Sequence, residues 1–158
     1  MKKKILVMSA YCIGIVGFII IVGYFFMGNP ILYINKYKLT SAIRTIDDKT
    51  ITLNEVVPFE WETIYSFGPY SNKEHMEEVI GFESDEIYPN NISEDMVDLI
   101  FVQDGEVVAR VLEYPSKLGY KIQFVPTEEF VNKIEFKDET AFNVEKANGI
   151  VTLDMIEA

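Results

Sequence analysis

Cysteine and histidine are almost absent from this chain. Cys12 is the single cysteine and His75 the single histidine among 158 residues. The part of the chain after Cys12 therefore has no internal disulfide, and structural zinc, which takes four nitrogen or sulfur ligands, has no ligand set. A lone histidine without a Gly-x-Ser-x-Gly context does not predict a serine nucleophile either. The sequence thus predicts no catalytic residue, no metal ligand and no bound cofactor.

Calcium needs only oxygen ligands, and the segment from Glu83 to Asp98 is rich in carboxylates. This segment lacks the Asp-x-Asp-x-Asp-Gly spacing of a calcium loop, however, and acidic loops are usually just solvated. We therefore interpret it as a solvated acidic loop. His75 lies beside Glu74 and Glu78 on a predicted helix, and we interpret it as an exposed helix residue.

Charge is also absent from one long run near the N-terminus. Residues 5–27 contain no charged side chain over 23 positions, and Lys2, Lys3 and Lys4 precede them. A helix of about 20 apolar residues crosses the hydrocarbon core of a bilayer, and it satisfies its own backbone polar groups. Cations close to a span are retained in the cytoplasm. We therefore predict a cytoplasmic basic tail at 1–4, a transmembrane helix at 5–27 and an extracellular C-terminal domain in the cell membrane.

Two other kinds of N-terminal signal fit this run less well. A cleaved signal peptide has an apolar stretch of about 7–15 residues followed by small residues. Here the run is longer and ends in the bulky residues 24–27, Tyr-Phe-Phe-Met. A lipoprotein site would need a small residue before Cys12, where Tyr11 stands. A single-pass anchor is the favoured interpretation.

The rest of the chain is strongly acidic. Residues 29–158 carry all 25 Asp and Glu but 11 of the 14 Lys and Arg, which makes their net charge −14. Nucleic acid is a poor partner for this surface, because binding it requires cationic patches. The charge also argues against the domain lying flat on anionic lipid, because the two would repel each other. The charge favours solubility and a basic partner.

Short strand-like segments separated by turn residues indicate the fold class. Over 47–158, alternating apolar residues bounded by Gly, Pro, Asn and Asp predict an α+β domain. We expect a mainly antiparallel sheet with one or two packed helices. In the segment 28–46, apolar residues recur every three to four positions, which predicts a juxtamembrane helix.

The clearest local element is a hairpin around Asp104-Gly105, the dipeptide favoured by type I′ turns. Counting outward from this turn pairs Val102 with Val107, Phe101 with Val108 and Leu99 with Arg110. Both faces of the hairpin carry apolar residues. We therefore expect it to be central in its sheet.

A second distinctive stretch surrounds the single tryptophan. Alternation over 61–67 predicts a strand with Trp61, Thr63, Tyr65 and Phe67 on one face. Gly68-Pro69 ends the strand. Ser71 or Asn72 then caps a helix that extends to Ile80 and ends at Gly81.

These residues carry a resemblance to a group of proteins. Residues 59–65, Phe-Glu-Trp-Glu-Thr-Ile-Tyr, precede residues 67–70, Phe-Gly-Pro-Tyr, and a helix ending at Ile80-Gly81-Phe82. This pattern, over about a quarter of the chain, resembles small membrane-anchored or secreted extracytoplasmic proteins of Gram-positive bacteria that have no known activity. The resemblance implies a cell-surface location and an α+β fold. It transfers no functional residue.

The sequence favours a non-catalytic binding module outside the cell. Its partner would be a basic protein or an envelope component, and its N-terminal helix would hold it in the membrane. The candidate binding residues are three aromatic and three acidic ones: Trp61, Tyr65, Tyr70, Glu83, Asp85 and Glu86.

Three alternatives stay open at this point. One is an immunity or inhibitor protein against a basic toxin, which the acidic charge suits. Another is a cell-envelope hydrolase using Glu60 and Glu62, since carboxylates two positions apart on a strand lie about 6–7 Å apart. The third is an accessory subunit of a larger membrane complex, in which the anchor itself would be needed for assembly.

Overall fold

The computed structural model describes residues 13–18, 23, 29–89, 95–125 and 131–156. The residues from Ile31 onward form one compact unit. The transmembrane helix predicted at 5–27 lies mostly outside the described residues, and the described part of it, 13–18 and 23, is helical. No helix in the described ranges is long and apolar enough to cross a membrane.

Helices and strands alternate irregularly along the described chain. They are α1 (Pro30–Arg44), β1 (Thr50–Thr52), α2 (Leu53–Val56), β2 (Thr63–Phe67), α3 (Lys73–Ile80), β3 (Val97–Gln103), β4 (Glu106–Glu113), α4 (Pro115–Leu118), β5 (Tyr120–Gln123), β6 (Val131–Glu135), a 3₁₀ helix (Phe136–Asp138), β7 (Ala141–Ala147) and β8 (Ile150–Met155). Among these described helices, α1 and α3 are the two that exceed two turns.

The strands form two four-stranded sheets. The first sheet has the order β1-β7-β8-β5 and the second has the order β4-β3-β2-β6. Every pair is antiparallel except β5 with β8. The predicted α+β class and antiparallel pairing are therefore confirmed. The prediction of one sheet was wrong, because alternation within a strand does not indicate which strands join which sheet. Helix α1 lies within the segment 28–46 that was predicted to be helical, and three further described α-helices, rather than one or two, accompany the sheets.

The main core combines both sheets with α1. Leu39 and Ile43 of α1 pack with Ile64 and Phe101 of the second sheet and with Phe142 of the first. All five side chains are almost completely inaccessible to solvent. At about 25 cal/mol per Å² of apolar area, burial on this scale is the dominant stabilising term.

A smaller core covers the opposite face of the second sheet. Tyr65, Phe67 and Ile100 from the strands pack there with Met76 of α3 and with Ile87 of the loop that follows. Because β2 and β3 present apolar side chains on both faces, this sheet needs cover on both sides. The hairpin β3–β4 was expected to be central, but β4 is an edge strand.

A β-bulge in β4 changes the register of the predicted hairpin. The pairing of Val102 with Val107 is confirmed, but the register then shifts, so that Phe101 lies opposite Ala109 and Ile100 opposite Arg110. The predicted partners of Phe101 and Leu99 were therefore wrong by one residue. An extra residue, here Val108, reverses the side-chain alternation beyond it. Arg110 consequently lies on the Ile100 face rather than the Leu99 face.

Helix α1 covers the exposed edge of β4 at this bulge. Asn35 Nδ2 donates a hydrogen bond of 2.9 Å to the carbonyl oxygen of Val108. The Asn35 side chain is buried, so this bond satisfies a polar amide inside the domain. An edge strand protected in this way cannot pair with another chain at that point.

The bulge also creates a buried ion pair. Arg110 contacts Asp98 through Nη1 and Oδ1, and both side chains are almost fully buried. The guanidinium lies 4.9 Å from the centre of the Tyr88 ring and donates a long hydrogen bond of 3.4 Å to the Tyr88 carbonyl. Arg110 Nε has no hydrogen-bond partner in the described structure. Desolvation makes such a pair costly to break but not necessarily stabilising in itself.

We expect Arg110→Met to lower the free energy of unfolding by about 3–5 kcal/mol, because it leaves the Asp98 carboxylate buried without its cation. The double variant Asp98→Leu with Arg110→Met removes both charges. Its free energy of unfolding should be closer to that of the parent than the value for Arg110→Met alone is. Urea unfolding of the full-length protein measures both values. A double variant less stable than Arg110→Met would contradict this account of the pair.

Candidate functional site

Two of the three predicted binding aromatics are core residues. Trp61 is 3% exposed and makes edge-to-face contacts with Phe101 and Phe136, at centroid distances of 6.3 and 5.2 Å. Tyr65 is 7% exposed and stacks on Phe67 at 6.2 Å. These rings stabilise the domain through their buried area and ring contacts. In this structure neither one is placed to form a surface platform.

Trp61 and Tyr65 also belong to different cores, although the alternation predicted a shared face. Strand β2 begins only at Thr63, and a bend at Glu62 precedes it. Trp61 therefore packs in the main core, whereas Tyr65 packs in the smaller one. Side chains alternate between the two faces of a sheet only within a strand, so the alternation does not extend to Trp61, which precedes β2.

Tyr70 is different, because its side chain is 68% exposed. It lies in the turn between β2 and α3, with a positive φ of 66°. A non-glycine residue in the left-handed region carries a conformational cost of roughly 1 kcal/mol. Tyr70 is the one predicted aromatic that the structure places at the surface.

The predicted acidic residues lie beside helix α3. Asn72 Oδ1 caps the helix by accepting a 2.8 Å hydrogen bond from the backbone N–H of His75, and Gly81 ends it with a φ of 95°. The chain then turns, so that Glu83 and Asp85 are exposed beyond the end of the helix and Glu86 is half-buried. Both predicted ends of this helix are confirmed.

Helix and loop together form one carboxylate-rich area, which we call the acidic surface. Its members are Glu74, Glu77, Glu78, Glu83 and Asp85. Two shallow depressions, with volumes of about 420 and 510 Å³, share Glu77 and Glu83 as lining residues. The binding residues predicted from the sequence included Glu83 and Asp85 but none of the glutamates of α3. Their spacing of three and four residues was the signal that they share a face.

Glu77 connects helix α3 to the loop that follows it. Its Oε1 accepts a 2.8 Å hydrogen bond from the backbone N–H of Ser84 and lies 3.4 Å from Lys73 Nζ. These contacts connect the loop to the helix. Lys73 is the one cation among the described residues that line the two depressions. The remaining carboxylates repel each other, and a cationic ligand would relieve that repulsion.

The described carboxylates do not assemble a metal site. No group of three His, Cys, Asp or Glu side chains in the described ranges could hold a metal ion. Asp98, considered above for calcium, is instead buried against Arg110. His75 is exposed, and its ring lies edge-on to Phe67 at 6.4 Å.

The two carboxylates considered for hydrolysis, Glu60 and Glu62, are exposed in the segment just before β2. Glu62 Oε2 accepts a 3.1 Å hydrogen bond from the backbone N–H of Asp104, which connects it to the β3–β4 turn. This contact gives Glu62 a structural role. Neither Glu60 nor Glu62 lines the two depressions of the acidic surface.

A separate cleft of about 560 Å³ lies between the start of β3 and strand β5. Val97, Ser66, Lys121 and Phe124 are among its lining residues, and none of the predicted binding residues is. Asp98, which also belongs to the lining, is buried in its ion pair with Arg110.

Because Tyr65 is buried and Tyr70 is exposed, truncating them should change the stability by different amounts. We expect Tyr65→Ala to lower the free energy of unfolding by about 3–5 kcal/mol, as for other buried aromatic truncations. Tyr70→Ala should change it by less than about 0.5 kcal/mol, since surface substitutions without special contacts are nearly neutral. Thermal melting of the full-length variants measures both. Equal losses from the two variants would place Tyr70 in the core.

Comparison with known proteins gives no assignment. No family model, no curated protein and no solved structure matches this chain. The acidic surface and the exposed Tyr70 are accordingly described by their geometry and charge alone.

Proposed function

We propose that this chain is a non-catalytic binding module, held in the cell membrane by its N-terminal apolar run and exposed outside the cell. Its acidic surface would engage a basic partner. The observation that supports this proposal is the collection of five carboxylates on α3 and the following loop, with Lys73 as the single cation among the described residues that line the two depressions. Tyr70, which precedes α3, adds an exposed aromatic side chain close by in sequence.

The electrostatics favour a cationic ligand of some length. Two adjacent depressions share Glu77 and Glu83, so the negative potential extends over an area rather than a point. Complementary charge increases the association rate and suppresses partners of the same sign. A lysine- or arginine-rich protein segment, or a cationic envelope polymer, has the matching chemistry.

The apolar run would contribute to binding without touching the partner. A tether keeps the module near the membrane and raises its effective concentration toward any partner found there. A membrane-bound immunity protein against a basic toxin is the narrower form of the same proposal. No described contact favours the hydrolase, because Glu62 is bonded to the β3–β4 turn.

The test removes charge from the acidic surface and measures binding of an oligolysine peptide. In one variant Glu74, Glu78 and Glu83 become Gln and Asp85 becomes Asn, while Glu77 is kept because it bonds Ser84. We expect about tenfold weaker binding, since each exposed ion pair contributes roughly 0.2–1 kcal/mol and about 1.4 kcal/mol is a tenfold change. Isothermal titration of the full-length protein in nanodiscs of neutral lipid gives the dissociation constants.

The matched control removes the same charge elsewhere. Glu60, Glu106, Glu139 and Glu145 are exposed and lie outside the acidic surface. Changing these four to Gln should weaken binding by less than about threefold, because only long-range charge is lost. Equal weakening in both variants would show that net charge alone attracts the peptide, and the proposed surface would be rejected.

A further inference from the structure

The first two turns of α1 expose an unusual amount of apolar surface. Ile31, Tyr33, Ile34 and Tyr37 are 54, 64, 52 and 76% exposed. The opposite side of the same helix is anchored in the domain, with Leu32, Asn35, Leu39 and Ile43 buried. The exposed residues therefore belong to a helix whose packing inside the domain is already complete.

This exposure is confined to the N-terminal half of the helix. Beyond Tyr37 the exposed positions of α1 are Lys38, Ser41 and Arg44, all polar. A helix whose outer face only faced water would not concentrate isoleucine and tyrosine in two consecutive turns. The apolar half is the one that follows the 5–27 run in the sequence.

Basic and acidic residues are separated along the chain at a point just after α1. Residues 1–46 contain six Lys or Arg and no Asp or Glu, whereas residues 47–158 contain eight Lys or Arg and all 25 acidic residues. Helix α1 is thus a basic segment within an acidic domain. On neighbouring β4, hydrogen bonds from the Tyr114 backbone and the Lys117 side chain lower the pKa of the Glu113 carboxyl, and the charge of Lys36 adds a smaller effect in the same direction.

We propose that the first two turns of α1 lie in the headgroup region of the bilayer that the apolar run crosses, with Tyr33, Ile34 and Tyr37 facing lipid. Tyrosine is favoured at this depth because its ring is apolar and its hydroxyl reaches headgroups. Isoleucine reaches the acyl boundary, and Lys38 on the same side meets the lipid phosphates. This inference rests on the anchor in the proposed function.

The short connection between the apolar run and α1 supports lipid as the partner of the exposed face of α1. Only three residues separate Met27, the last of the apolar run, from Ile31, and an extended chain covers at most about 3.6 Å per residue. The headgroup region on one side of the hydrocarbon core is roughly 5–8 Å thick. If the run ends at the edge of the hydrocarbon, the start of α1 cannot lie far from the headgroups. The basic charge of α1 attracts anionic lipid, although the domain as a whole repels it.

The consequence is a fixed orientation. A transmembrane helix alone would leave the domain free to rotate on a short tether. A second attachment through α1, which is packed in both cores through Leu32 and Ile43, holds the domain in one orientation relative to the membrane. The proposed partner would then always meet the acidic surface at the same angle.

The test places a tryptophan in the proposed lipid contact. Tyr37→Trp in a Trp61→Phe background is reconstituted as the full-length chain into vesicles of three parts phosphatidylcholine and one part phosphatidylglycerol. Tyr70→Trp in the same background is the control, because Tyr70 is similarly exposed. If Trp61→Phe destabilises the protein, Tyr37→Trp is made in the parent chain, which keeps Trp61. Subtracting the emission spectrum of the parent then removes the Trp61 signal and leaves the emission of the tryptophan at position 37.

We expect Trp at position 37 to emit at shorter wavelength and to be quenched at least about threefold more by lipid carrying a label near the headgroup than Trp at position 70. Unquenched, long-wavelength emission at 37 would overturn the inference. Short-wavelength emission without lipid quenching would also overturn it, and would indicate a protein contact such as a second copy. Flotation separates the two proposals: a chain that does not float with vesicles disproves the anchor, whereas a floating chain without quenching disproves only the contact of α1.

Discussion

The β-bulge at Val108 is the constraint on which the rest of this domain depends. If β4 paired without the bulge, with Val108 opposite Phe101, every side chain from Ala109 onward would change faces. Arg110 would enter the apolar core between the sheets, and Ala109 and Val111 would leave it. With the bulge, Arg110 meets Asp98. Because Asn35 of α1 binds the Val108 carbonyl, the same feature positions the helix across the edge of β4.

The position of α1 determines which surfaces remain for function. Since the helix contributes side chains to both cores, its outer face and the α3 region are left on the exterior. The two exteriors have opposite character: the start of α1 is basic and aromatic, and the acidic surface is rich in carboxylates. In the proposed account the first faces lipid and the second faces a basic partner. The domain would thus use two surfaces of different charge, a basic one to contact the membrane and an acidic one to bind the partner.

Local features of the fold could be predicted from the sequence, and features that depend on distant contacts could not. The Asp104-Gly105 turn, the Asn72 cap and the Gly81 end of α3 are fixed by a few neighbouring residues, and all three are confirmed. The bulge lies beside Asn35, which is 73 residues away and bonds the Val108 carbonyl, and counting from the turn could not reveal the shift in register. Burial of Trp61 and Tyr65 depends on two different cores, which alternation cannot separate, and the acidic surface required the turn that brings Glu83 beside α3.

The central claim is that the acidic domain lies outside the cell while the chain remains in the membrane. Protease treatment of intact cells, combined with the mass of the protein in membranes from untreated cells, tests it most directly. We expect external protease to digest the domain and the untreated chain to keep its full length. A domain protected until the cells are lysed would contradict the orientation, and a shortened membrane-free chain would contradict the anchor.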